Sequence, residues 1–138
     1  MNIEAYLKEH NLRNTECRRA VTALFLDHPH VALSHQDLES ELGQQFDRAT
    51  LYRTLNSFEE NKLVHKVMDD QGITKYALCP TECSHGNQGV VDHIHFQCTV
   101  CNTTECLDKA ATFQIHLPDG YQVKDSNFLL TGICPKCR

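Results

Sequence analysis

At 138 residues the chain has room for one ordinary domain or two small ones, and its 41% hydrophobic content is that of a folded protein, which excludes bulk disorder. A net charge of −5 argues against a nonspecific nucleic-acid coat, although a locally basic face can still read specific DNA. The opening MNIEAYLKEH carries charges and no apolar run, and no stretch is apolar for the length a bilayer demands, so a cytoplasmic protein without membrane contact is expected. Eight cysteines and nine histidines in a reducing compartment point to metal ligands or redox groups rather than disulfides.

In chain order, Ile3, Tyr6 and Leu7 mark a short amphipathic helix. Thr15 is a candidate N-cap for a second helix with Val21, Leu24 and Phe25 on one face, ended near Pro29. Ser34 caps HQDLESELG, with Leu38 and Leu42 four apart and Gly43 as its stop. After QQF, Asp47 caps DRATLYRTLNSFEENK, where Leu51, Leu55 and Phe58 share a face. LVHKVMDD and ITKYAL then alternate as strands around a DDQG turn. This order is that of a winged helix-turn-helix, assigned to residues 1–78. Residues 79–92, rich in Pro, Gly, Asn and Ser, read as a linker. Residues 93–138 read as a small α/β domain: strand HIHFQC, turn TVCNTT, a short strand or helix start at ECLD, a short helix near Ala110–Ile115, and a strand within YQVKDSNFLLTGIC. The fold class expected is therefore α+β.

Cys98-x-x-Cys101 and Cys134-x-x-Cys137 are the strongest signal. Two residues between cysteines let both thiolates reach one ion from a tight turn, and two such turns close a tetrahedron around zinc. A thioredoxin-like redox motif needs one CxxC after a strand in a much larger fold. The expectation is a structural zinc that holds the C-terminal domain together, since binding energy at such sites doubles as folding energy.

A second cluster lies nearby. His93 and His95 alternate onto one face of a strand, and Cys106 follows Cys101 by five residues. Cys79, Cys83 and His85 in the linker, and His30 from the N-terminal unit, are further candidate ligands. A His/Cys set suits zinc better than iron. The bland alternative is two surface histidines and a buried Cys106 acting as a small hydrophobe. Cys17, one turn into the second helix, reads as core.

The candidate DNA-reading face is the start of the third main helix, where Arg48, Thr50, Tyr52 and Arg53 stand where a recognition helix meets base edges and phosphates. Arg18 and Arg19 add positive charge, and Arg13 sits in an arm-like segment suited to a minor groove. A solvated charged face on a helical bundle would look the same in isolation.

Together these motifs resemble the ferric-uptake-regulator family of bacterial metal-sensing repressors. LRNTECRRAVTALF is similar to that family's opening helix. SHQDLESEL followed by FDRATLYRTLNSFEENKLVHKV is similar to its recognition unit, and HIHFQCTVC with CPKC to its metal-binding signatures. The resemblance implies a homodimer joined through the C-terminal domains, a palindromic double-stranded operator, a structural zinc on Cys98, Cys101, Cys134 and Cys137, and a regulatory metal between domains using His93 and His95.

The chain departs from the family's iron and peroxide sensors. Cys106 stands where they carry a carboxylate, Ala32 where they carry a histidine, and Ile94 where an aspartate is frequent; the linker is longer and holds Cys79 and Cys83. Sulfur for oxygen moves the expected regulatory metal toward Zn²⁺ over Fe²⁺. The expected function is zinc-responsive repression, with no enzymatic activity and no small organic substrate. The alternatives are an iron- or peroxide-responsive repressor and, more remotely, a small zinc hydrolase using His93, His95 and Cys106 with Glu105 as base.

Overall fold

The computed structural model describes residues 2–78, 90–91, 94–107, 113–114, 116–123 and 128–138. The N-terminal unit holds α1 (Ile3–Glu9), α2 (Glu16–Asp27), β1 (Leu33–Ser34), α3 (His35–Leu42), α4 (Arg48–Glu60), β2 (Val64–Met68) and β3 (Thr74–Leu78). Each expected cap is in place. Thr15 accepts from Arg18 N at 3.2 Å, Asp47 accepts from Thr50 N at 2.8 Å, and Ser34 and Asp37 close a reciprocal capping box. At the end of α3, a Cβ on Gly43 would collide with the carbonyl oxygen of Glu39.

The helices bury one continuous core around Val21, Phe25, Leu38, Leu51, Leu55 and Phe58, each fully shielded from water. Each such side chain contributes roughly 1.5–3 kcal/mol on burial. Cys17 belongs to this core, its Sγ 3.4 Å from Thr54 Oγ1. The wing is an antiparallel β2–β3 pair with β1 on the far edge of β3. Its turn runs through Gly72 at φ +79, a conformation that suits glycine.

The C-terminal unit holds β4 (Val90–Val91), β5 (Ile94–Cys98), β6 (Thr104–Leu107), β7 (Phe113–Gln114) and β8 (Leu129–Gly132). Its main sheet has the order β6–β5–β8, with β5–β6 antiparallel and β5–β8 parallel. Two expectations are corrected here. Phe113–Gln114, expected in a helix, is a strand, and it pairs with Val90–Val91, which lie in the segment read as linker. Two-residue strands are too short to display a period of two, so their pairing is a tertiary event. Of the expected last strand, Leu129–Gly132 is strand and residues 121–123 are not.

The chain between α2 and α3 joins both sheets. Ala32 N donates to Thr104 O and Cys106 N donates to His30 O, both at 2.7 Å, so residues 30–32 extend the free edge of β6. One residue later Leu33 and Ser34 pair with Tyr76 and Lys75 of the wing. Register then sorts the faces of the C-terminal sheet. His95, Gln97, Thr104 and Cys106 are buried, while Leu107 and Leu130, on the face shared with Ile94 and Phe96, are 36% and 50% exposed.

Candidate metal centres and nucleic-acid interface

Among the described residues, two groups place metal-ligating atoms within 4.8 Å of one another. The first is Cys98, Cys101, Cys134 and Cys137. The first cysteine pair turns between β5 and β6, with Asn102 N donating to Cys98 O at 3.0 Å and Asn102 itself at φ +60, a left-handed position that Asn tolerates. The second pair follows β8, which lies parallel to β5 and so brings Cys134 back to the same end of the sheet. The Sγ atoms of Cys101 and Cys134 are 3.9 Å apart. A tetrahedron with Zn–S bonds of about 2.3 Å needs about 3.8 Å between sulfurs.

The thiols are tuned for a cation. Cys98 Sγ accepts from Val100 N at 3.3 Å and from Cys101 N and Cys134 N at 3.5 Å. The amides of Cys101 and Cys134 contribute most in drawing its pKa down to about 6. Hydrogen bonding to Thr103 lowers Cys101. Cys137 moves the other way, pushed up to about 12 chiefly by its contact with Cys134 and then by burial. Four sulfurs this close cannot all ionise unless a positive charge joins them, which is the demand a divalent metal meets.

The second group is His65, His95 and Cys106, all buried. His95 and Cys106 are direct partners across β5–β6. His65 comes from β2 in the wing, and its Nε2 lies 2.8 Å from His95 Nε2. Two imidazoles and a cysteine sulfur from opposing sheets therefore converge on one point. This N₂S donor set suits Zn²⁺ or Co²⁺ better than the harder Fe²⁺ or Mn²⁺.

Of the expected regulatory ligands, His95 and Cys106 are in this cluster. His93, Cys79, Cys83 and His85 lie outside the described residues. His30 reaches Cys106 through its backbone carbonyl, and its exposed imidazole is not among the clustered donors. Sequence reasoning missed His65. Its signal was there: HKVM alternates His65 and Val67 with Lys66 and Met68, which puts His65 in an apolar row, and a buried histidine needs a partner.

On α4, Arg48, Tyr52 and Arg53 are exposed on the side opposite the core. Tyr52, 54% exposed, stands edge-on to His35 with ring centroids 5.7 Å apart. Arg53 donates to Thr50 Oγ1 at 3.3 Å, which directs the guanidinium along the helix N-terminus. Arg48 is bound to Glu39 at 2.5 Å, so its charge is partly offset by α3. Arg18 donates to Arg13 O and Arg19 to Asn14 Oδ1, ordering the basic segment that opens α2.

The chain is similar to known proteins in sequence and fold. The Ferric uptake regulation protein of Bacillus subtilis (strain 168) is 25% identical over 142 residues, spanning 98% of this chain and 91% of its own. That of Haemophilus influenzae is 28% identical over 135 residues, spanning 93% and 86%. Among solved structures, the Vibrio cholerae ferric uptake regulator superposes with a TM-score of 0.62 at 19% identity, covering 96% of this chain and 100% of that one. Holo XcZur superposes at 0.61 and 20% identity, covering 98% and 93%. These two establish likeness of fold. The model of the ferric uptake regulator family matches residues 9–128. With that match spanning most of its length, the chain belongs to the ferric uptake regulator family of metal-responsive transcriptional regulators.

Proposed function

We propose that this regulator is a zinc-responsive repressor in which Cys98, Cys101, Cys134 and Cys137 hold a structural zinc and His65, His95 and Cys106 form the sensing site. The observation that carries the reading is that the second donor set straddles two sheets. A metal bound there gains a ligand from the wing and two from the C-terminal sheet, so it binds the docked arrangement of the two units better than any separated one. That differential affinity is what an effector needs in order to shift an equilibrium. The sulfur donor supports zinc over iron. Tetrahedral zinc takes four ligands, and residues 79–93, with Cys79, Cys83, His85 and His93, are the source of the fourth.

The repressor acts as a homodimer on a palindromic operator. The apolar face carrying Ile94, Phe96, Leu107 and Leu130 supplies the self-complementary surface. Each α4 enters a major groove with Thr50, Tyr52 and Arg53 toward the bases and phosphates, Arg18, Arg19 and Arg48 contact the backbone, and Arg13 reaches a minor groove.

The test is an operator gel-shift titration in which the four-cysteine metal is retained and the second site is emptied and refilled. Operator affinity rises about 5- to 150-fold on refilling with zinc. Unchanged affinity overturns the sensing role. Iron in the second site is the other reading, favoured by the names of the sequence relatives. Elemental analysis of protein purified without added metal separates the two.

A further inference from the structure

The two packed sheets carry more than the donor trio. Along β2 and the residue that follows it, His65, Val67 and Asp69 stand at every second position, and all three are buried. Across the wing, His65 faces Ala77 and Val67 faces Lys75. The opposing sheet repeats the spacing, with His95 and Gln97 on β5 and Cys106 and Thr104 on β6. The interface therefore has two polar ends. One holds His65, His95 and Cys106. The other, two residues further along β3, β5 and β6 and four beyond His65, holds Asp69 and Lys75 near Gln97 and Thr104. Between them lies a small apolar plug of Ala32, Val67 and Ala77.

The second end is tied across the units. Gln97 Oε1 accepts from Asp70 N at 3.0 Å, and Lys75 Nζ donates to Thr104 Oγ1 at 3.1 Å. Lys75 Nζ also lies 3.7 Å from Asp69 Oδ2. Asp69 Oδ1 accepts from Gln71 N and Ile73 N at 2.9 and 2.8 Å, so one carboxylate shapes the wing turn and neutralises the lysine. The side chains of Asp69 and Lys75 are 4% and 13% exposed. The ion pair lies within the wing, where it holds Lys75 toward Thr104; the contacts that cross the units are Lys75–Thr104 and Asp70–Gln97, and undocking would break these two.

We infer that Asp69, Lys75, Gln97 and Thr104 form a positioning latch that biases the wing toward the C-terminal sheet before metal binds and, in that docked fraction, sets His65 opposite His95 and Cys106, so that metal completes the shift. The consequence for metal binding rests on the sensing site proposed above; the docking itself does not. Because β-strands are stiff over two to four residues, holding the latch end fixes the register of the ligand end. The site is then assembled in part of the population before the ion arrives, which lowers the ordering cost of metal binding.

The experiment uses the full chain with the four-cysteine metal in place. Variants are Lys75→Met, which keeps the aliphatic stem, Gln97→Leu and Thr104→Val. Co²⁺ titration of the second site, read by thiolate charge-transfer and d–d absorption, weakens about tenfold in the variants, with band positions unchanged because the donors are intact. Hydrogen exchange gives an arm independent of the second metal. In protein emptied of that metal, the Asp70 amide is partly protected in the parent and loses that protection in Gln97→Leu. A misfolded variant is recognised by loss of protection in α4, and Thr104→Val, nearly isosteric, then carries the test. An unprotected Asp70 amide in the parent, or variants whose Co²⁺ affinity matches the parent's, overturns the latch. If no Co²⁺ bands arise in the parent, the sensing site fails while the exchange arm still decides the docking.

Discussion

Removing the four-cysteine metal should unfold one unit and spare the other. Cys134→Ser takes away a buried donor whose sulfur lies 3.9 Å from that of Cys101. The contrast follows from what each unit buries. The winged unit has a continuous cluster of leucines, phenylalanines and valines shielded from water. In the C-terminal sheet the buried apolar side chains, among the described residues, are Cys98, Cys106 and Cys134. A structural zinc in a small domain contributes about 10–16 kcal/mol of apparent folding energy, whereas a whole domain is typically stable by only about 5–15 kcal/mol. Loss of the ion therefore removes about as much as a whole domain's margin, and the C-terminal sheet, which buries little besides its cysteines, has less than most. Hydrogen exchange with mass spectrometry reads the outcome: amides of β5, β6 and β8 exchange freely in Cys134→Ser, while those of α2 and α4 remain protected. Undiminished protection of β5, β6 and β8 in protein shown by elemental analysis to carry no zinc would refute the reasoning.

Other outcomes follow from the same geometry. His65→Leu fills the same buried space without a donor, so the second site loses Co²⁺ affinity by tenfold or more while the four-cysteine metal stays bound; retained affinity would remove His65 from the ligand set. Zinc uptake by the four-cysteine site at neutral pH releases the Cys137 proton, because crowding by Cys134 and burial hold that thiol up to about 12, whereas Cys98, at about 6, is already ionised. Apparent affinity thus rises with pH, and calorimetry in buffers of different ionisation enthalpy should detect the proton; heats independent of buffer would contradict the assignment. Arg53→Ala should reduce the slope of log K against log salt for operator binding by about 0.9, the share of one phosphate contact, and an unaltered slope would exclude that contact. Ser34→Ala breaks the α3 capping box and should cost about 0.5–2 kcal/mol in denaturant unfolding.

Local chemistry made the winged unit legible from the chain alone. Thr15, Ser34 and Asp47 cap helices because their side-chain oxygens reach amides three residues on, and the apolar spacing that follows each cap has one stable outcome. The paired CxxC motifs were equally readable, since two residues between thiols already set the geometry of half a tetrahedron. The parallel return of β8 beside β5, which completes the site, needed only to be possible.

What the chain did not disclose were relations between distant segments. Val90–Val91 and Phe113–Gln114 pair only because the fold brings them together, and neither is long enough to announce itself. His65 and His95 are thirty residues apart and become 2.8 Å neighbours through the packing of two sheets. Asp69 and Lys75 look like ordinary surface charges beside a turn until that packing buries them against Gln97 and Thr104. The sequence by itself determined the helices, their caps, the wing and the thiol site, because each depends on contacts within a few residues or on a fixed ligand spacing. Only the tertiary structure decided which imidazole faces Cys106, because a strand's alternation tells which side a residue points to and not what stands opposite it.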